Sequence, residues 1–235
     1  MPYQKGRFSG CLSEVSKNTM NRYFAMSFVI IIFLLTACSY KDEPEIAVFK
    51  NTGNDANYYL ISQNGRGVLI DAGGCLEEIA EYVDTNKMKV EAIILTHNHS
   101  DHVMEAADLK ERLKSKLMIS KKETDFSEGF DPIKADVYLD GDQTLDIAGI
   151  SFDIINTPGH SPGSISIKMD SVVFTGDTLF WDTIGSVHYG GGDYDEILSS
   201  IRNKLLTLDD DTTIYPGHGP SCSIGYVREN NVFMK

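Results

Sequence analysis

Thr96-His97-Asn98-His99-Ser100-Asp101-His102 is the stretch on which the reading turns. It follows residues 90–95 (VEAIIL), a short, almost wholly apolar run that predicts a buried strand. Three imidazoles and a carboxylate crowd into the six residues after Thr96. They cannot all be core residues, since buried polar side chains need partners. A ligand loop accounts for them. Alternation lets His97 and His99 converge on one cation, and Asp101 and His102 then turn toward a second. Imidazole with carboxylate suits Zn²⁺, Fe or Mn²⁺.

The same arrangement recurs down the chain. The strand expected at 150–156 feeds Thr157-Pro158-Gly159-His160-Ser161-Pro162-Gly163. The one expected at 172–175 ends in Gly176-Asp177, and the one at 213–215 runs into Pro216-Gly217-His218-Gly219-Pro220. Five of the six histidines therefore stand at strand ends. Asp177 is the expected bridging ligand, because a carboxylate can span two cations and one imidazole cannot. The glycines beside His218 let backbone approach closely.

His97-x-His99-x-Asp101-His102, followed by His160, Asp177 and His218, resembles the ligand set of the metallo-β-lactamase superfamily. Asp71, in Leu69-Ile70-Asp71-Ala72-Gly73-Gly74, falls on that family's first motif, where an Asp supports the metal loop from behind. The blocks 157–164, 174–180, 191–194 and 215–220 resemble the glyoxalase II-like (hydroxyacylglutathione hydrolase-like) branch. The resemblance covers residues 46–235. It implies an α+β fold, a four-layer αβ/βα sandwich with the site at one edge of paired sheets. It also implies that His97, His99 and His160 hold one metal and Asp101, His102 and His218 the other, with Asp177 shared and Asp101 and Asp177 serving catalysis. Two divalent ions, Zn²⁺ first with Fe or Mn²⁺ as alternatives, would generate a bridging hydroxide near neutral pH. That nucleophile suits thioesters and related small-molecule esters, because a thiolate leaves without a general acid.

Three departures qualify the resemblance. Full-length glyoxalase II enzymes carry a helical C-terminal domain that binds glutathione, and this chain leaves no room for one after His218. Val103-Met104 stands where Gly-Gly is usual. The segment 181–189 (WDTIGSVHY) lacks the usual Arg and Asp, and Trp181 and His188 stand there instead. His188 reads as a loop or core histidine or as a substrate contact. A lactonase of the same fold, a mononuclear iron persulfide dioxygenase, a true β-lactamase and a non-catalytic anchored metal-binding module are the competing readings.

Around this core the local patterns predict strands at 57–62 and 67–71 joined by an Asn64-Gly65 turn, a helix at 76–85, and a helix at 104–114. Further strands are expected at 117–120, 144–147 and 164–169. A helix is expected over 194–208, capped by Asp193 with Glu196 three residues on. The 235 residues suit one domain plus a targeting segment, and the net charge of −13 argues against nucleic acid as a partner. Residues 24–37 (FAMSFVIIIFLLTA) form an apolar run too short for a comfortable membrane span but right for a signal peptide. The run closes on Leu35-Thr36-Ala37-Cys38, which resembles a bacterial lipobox and predicts lipidation of Cys38. A plain signal peptide or an anchor helix is the alternative. Residues 1–37 are thus expected to be a signal segment, with Met20 as the start of its compact form, and 38–45 a polar tether. The domain at 46–235 is expected on the non-cytoplasmic side of the cell envelope, held to the membrane by lipid. Cys75 and Cys222 remain free to pair in an oxidising compartment, and oligomeric state is left open.

Overall fold

The computed structural model describes residues 43–53, 56–123, 133–188 and 191–235, together with the backbone of 11–14. Cys38, Met20, the apolar run and most of the tether lie outside these residues. Among the described residues, no helix is long and apolar enough to cross a membrane.

Strands β1 (Cys11–Glu14), β2 (Glu45–Asn51), β3 (Asn57–Gln63), β4 (Arg66–Ile70), β5 (Lys89–Ile94), β6 (Lys116–Ser120) and β7 (Val137–Leu139) form one sheet in sequence order. The first four pair antiparallel, and β4 to β7 run parallel. Parallel neighbours need crossovers. These are supplied by α1 (Leu76–Thr85) between β4 and β5, and by α2 (Ser100–Val103) and α3 (Ala106–Leu113) between β5 and β6. The sequence places residues 11–14 ahead of the domain, yet their backbone lies along the outer edge of β2, where it pairs that strand's otherwise open side.

The second sheet has the order β13 (Cys222–Ser223), β12 (Thr213–Pro216), β11 (Val172–Gly176), β10 (Ile165–Met169), β9 (Ile150–Asn156), β8 (Gln143–Ile147). It is antiparallel except between β11 and β12, whose crossover contains α4 (Tyr194–Asn203). A last helix, α5 (Ile224–Asn230), follows β13.

Period-2 alternation explains how these pieces stack. In β3, Tyr58 and Leu60 face the helices α1 and α3, while Tyr59 and Ile61 face the other sheet. In β5 and the residue that follows it, Ile93 and Leu95 point one way, Ala92 and Ile94 the other. In the second sheet Phe174 faces inward, and Val173 and Ile214 pack outward beneath α4 and α5. Three apolar layers result, from helix to sheet, sheet to sheet and sheet to helix. This is the αβ/βα sandwich expected, an α+β arrangement of two mixed sheets.

Local details follow their chemistry. Asn64 and Gly65 both have positive φ, 53° and 72°, as a two-residue hairpin turn of type I′ requires. The Asp193 carboxylate caps α4 by accepting from Glu196 N at 2.8 Å. Two helices are shorter than their patterns suggest. The stretch 104–114 yields only α3, preceded by the separate turn α2, because Ala72 holds the backbone between them: its N–H donates to His102 O and its carbonyl accepts from Glu105 N. The stretch 194–208 ends as α-helix at Asn203, where Lys204 leaves helical geometry and Leu205–Thr207 tightens into a 3₁₀ turn.

Candidate metal centre

Five strands, β4, β5, β9, β11 and β12, end at one edge of the sandwich, and each delivers part of the site. β5 runs on through Thr96 into His97, which is 1% exposed. Asp71 follows β4 and is 2% exposed. Its carboxylate accepts from Thr96 N at 2.7 Å, from Thr96 Oγ1 at 2.8 Å and from His102 Nδ1 at 2.8 Å. Asp71 adopts φ 59°, a left-handed conformation that Asp tolerates better than most residues. One buried carboxylate thus fixes both the start of the ligand loop and the tautomer of His102.

The seven residues singled out as ligands converge. His97, His99 and His160 offer nitrogens within 4.8 Å of one another, as do the ligand atoms of Asp101, His102 and His218, and those of His97, His102 and Asp177. His99 Nδ1 and His160 Nε2 stand 2.8 Å apart. His218 Nε2 lies 3.1 Å from Asp101 Oδ2. Asp177 sits between the two groups. Its Oδ1 is 3.3 Å from His102 Nε2, and its Oδ2 is 3.7 Å from His160 Nε2 and 3.5 Å from His218 Nε2. Gly217 makes this approach sterically possible. A Cβ there would fall 2.1 Å from Asp177 Oδ1 and 2.8 Å from His102 Cε1.

The electrostatics divide the site in two. Burial, then the neighbouring imidazoles, push His97 well below the usual histidine range; burial and His160 bring His99 down to about 4, and burial also lowers His160. These shifts favour the neutral imidazole, the form that ligates a metal. On the other side burial also disfavours charge, but carboxylates outweigh it. Asp177 and Asp71 hold His102 well above its usual value, and Asp101 and Asp177 raise His218 to about 9. Burial acts against the Asp177 carboxylate too, yet His102 overrides it and keeps the group ionised.

Donor chemistry supplies the test for a metal. His97 Nε2, His102 Nε2 and Asp177 Oδ1 are buried without a well-formed hydrogen bond, the last two facing each other at 3.3 Å. An unsatisfied buried polar atom costs roughly 1–3 kcal/mol. Three such atoms aimed into one cluster are the pattern a cation resolves by accepting their lone pairs. This His/Asp cluster is able to bind metal ions.

Other groups in the site carried no signal in the sequence. His160 Nδ1 donates to Ser186 O at 2.7 Å. Asn57, at the start of β3, donates through its side chain to Pro216 O at 3.1 Å and to Gly219 O at 3.0 Å, and its backbone N–H donates to Gly217 O, so the first sheet holds the His218 loop. Tyr58 Oη donates to Asp101 O. Glu123 was not singled out either, although it touches the loops of His97, His99 and His160. Ser186 O, the Asn57 side chain and Glu123 lie outside any recognisable motif, and only three-dimensional contact reveals them. His188 is exposed and belongs to none of the three ligand groups. Trp181, 38% exposed, stacks on Tyr226 and borders Gly219 next to His218. Met104 points to solvent at 67% exposure, while Val103 packs on the helix-facing core. Cys75 is disulfide-bonded and Cys222 is a free thiol, so the two are not joined to each other.

Comparison with known proteins agrees with this geometry. Hydroxyacylglutathione hydrolase GloC of Haemophilus influenzae is 33% identical over 182 residues, spanning 71% of this chain and 86% of that protein. The crystal structure of BLEG-1 B3 metallo-beta-lactamase superimposes with a TM-score of 0.73 at 30% identity, over 77% of this chain and 94% of that one. TTHA1623, solved in a di-iron-bound form, gives a TM-score of 0.66 at 28% identity, over 76% of this chain and 94% of that one. The sequence profile of the metallo-beta-lactamase superfamily matches residues 51–218, the span that contains every residue of the cluster. With two helix-flanked sheets, a His/Asp cluster at their shared edge and a profile match across most of its length, the chain belongs to the metallo-beta-lactamase superfamily.

Proposed function

We propose that the protein is a binuclear metal-dependent hydrolase of thioesters or related esters. The observation that carries this reading is the position of Asp177, whose carboxylate lies between the two ligand groups, within 3.7 Å of His160 on one side and within 3.5 Å of His102 and His218 on the other. In this reading His97, His99 and His160 hold one ion, Asp101, His102 and His218 hold the other, and Asp177 is shared. Seven donors exceed what one tetrahedral ion uses. When bound, two such ions supply an activated water at neutral pH and positive charge for a developing oxyanion. Zn²⁺ suits the donor set, and the di-iron form of TTHA1623 makes iron the alternative.

The chain's own residues prepare that chemistry. Asp71 directs the lone pair of His102 Nε2 into the site by accepting a hydrogen bond from Nδ1–H. Ser186 O does the same for His160 by accepting from its Nδ1. Asn57 and Tyr58 hold the backbones of the His218 and Asp101 segments. Trp181 and Tyr226 offer an apolar surface beside His218 for the substrate's carbon skeleton.

The likeness to hydroxyacylglutathione hydrolase GloC supports thioesters as the substrate class. The likeness to BLEG-1 favours β-lactams as a second reading. Metal analysis of the purified protein, with a panel of thioesters, lactones and β-lactams, separates them. The expected result is two ions per chain and thioester turnover exceeding that of any β-lactam. A single ion at saturation would overturn the binuclear reading, and lactone or β-lactam turnover without thioester turnover would overturn the substrate class. The proposal also places the domain outside the cytoplasm on a lipidated Cys38. Cys38→Ser should release the protein from bacterial membranes or leave it unprocessed, and normal processing with full membrane retention would refute the anchor.

A further inference from the structure

Glu123 is a buried carboxylate with no role in the mechanism above. It lies in the 3₁₀ turn Lys121–Glu123, directly after β6, and is 2% exposed. No Lys, Arg or His pairs with it among the described residues. Instead, donors surround it. Oε1 accepts from Ser161 Oγ at 2.8 Å and from Gly163 N at 2.6 Å. Oε2 accepts from Asn98 N at 2.9 Å, and the Glu123 backbone carbonyl accepts from Asn98 Nδ2 at 2.7 Å. A Cβ on residue 163 would fall 2.7 Å from Oε1, so Gly163 leaves the space in which the carboxylate sits.

The identity of these partners matters. Asn98 lies between His97 and His99, and Ser161 follows His160. One side chain therefore joins the two loops, from different sheets, that carry His97, His99 and His160. Asp71 has no contact of this kind with His160. Its partners are Thr96 and His102. An ionised carboxylate is expensive to bury without a cation unless hydrogen bonds satisfy it. Three donors reach the carboxylate, and a backbone N–H faces each of its oxygens, so an acceptor is required on both.

We propose that Glu123 is a positioning residue for the His97–His99–His160 half of the centre, setting the spacing of its three nitrogens by clamping the two loops together. The inference rests on the binuclear reading and adds that each half of the site has its own buried carboxylate behind it.

Glu123→Gln tests it, because the amide must turn its NH₂ toward an N–H donor on one side or the other. The measurement is Zn²⁺ binding by competition with a chromophoric chelator, with far-UV circular dichroism to verify folding. In the otherwise unchanged protein, one of two ions should bind about 10–100-fold more weakly, the range typical when a group supporting a ligand is lost. In a His218→Ala background, Glu123→Gln should weaken the remaining ion by that same factor. In a His99→Ala background it should leave the remaining ion unaffected. Ser161→Ala, which removes one donor and no charge, should shift the same ion in the same direction and serves if the Gln variant does not fold. Unchanged affinities, or equal weakening of both ions, would overturn the clamp while leaving the binuclear reading intact. A parent protein that binds fewer than two ions would overturn both.

Discussion

Replacing Asp71 with asparagine changes one oxygen to an NH₂ and keeps shape, size and tolerance of the φ of 59°. Alanine would add backbone strain and confuse the result. The native carboxylate accepts three hydrogen bonds, one from Thr96 N on Oδ1 and two, from Thr96 Oγ1 and His102 Nδ1, on Oδ2. An amide can accept on only one side. If its oxygen faces Thr96 N, the NH₂ meets the hydroxyl, which can rotate, and His102 Nδ1, which must become an acceptor. The His102 proton then moves to Nε2 and removes the lone pair aimed at the metal site. If the amide flips, two N–H groups face each other in a buried space, at about 1–3 kcal/mol for an unsatisfied donor. Either way the second ion should bind roughly 10–100-fold more weakly. A loss of about 1–3 kcal/mol corresponds to roughly 2–12 °C in melting temperature for a domain of this size. Zn²⁺ titration and thermal unfolding of the metal-free and metal-loaded forms measure both. Parental Zn²⁺ affinity together with a parental melting temperature would refute the reasoning, because neither orientation of the amide permits it.

Gly217→Ala should abolish binding of the shared ion pair and lower activity at least 100-fold, since its Cβ would collide with Asp177 Oδ1 and His102; the accompanying overpacking costs about 1–3 kcal/mol. Normal metal content in that variant would show that the loop relaxes without moving Asp177. Burial pushes the Cys222 thiol up to about 11. Native alkylation by iodoacetamide at pH 8 should therefore be roughly 100-fold slower than in denaturant, because the thiolate is the reactive form. The folded state favours the neutral thiol, so its contribution to stability is present below the ordinary thiol range near ~8.5 and is lost as pH rises toward 11. Equal alkylation rates in the native and denatured protein would show that the thiol is not buried as described.

The parts of the fold legible in the sequence are those where local pattern and tertiary demand agree. Residues 76–85 have helical spacing and apolar Ile79, Ala80 and Val83 on one buried face, and the helix spans those residues in the structure. Residues 150–156 alternate, with Ile150, Phe152 and Ile154 buried, and form β9. The ligand cluster was legible for a similar reason, since an apolar strand running into His and Asp has few other uses. What was missed depends on distant backbone. The break between α2 and α3 comes from Ala72, about thirty residues earlier in the chain. The strand Val137–Leu139 and the pair Cys222–Ser223 are too short to carry a period. Glu123, Asn57 and Ser186 reach the site from segments whose own composition is ordinary.

Each ligand group draws on both sheets: His97 and His99 come from the first and His160 from the second, as do Asp101 and His102 with His218. In the proposed binuclear reading, neither half of the chain would bind metal at full strength alone. The ions would act as cross-links across the sandwich, one between His99 and His160, 61 positions apart, and the other between His102 and His218, 116 positions apart. Uptake of the second ion would consequently report the docking of β12 against β11, the step that brings His218 to Asp101 and His102, and a folding experiment that follows capture of that ion would time the completion of the second sheet rather than the collapse of either core.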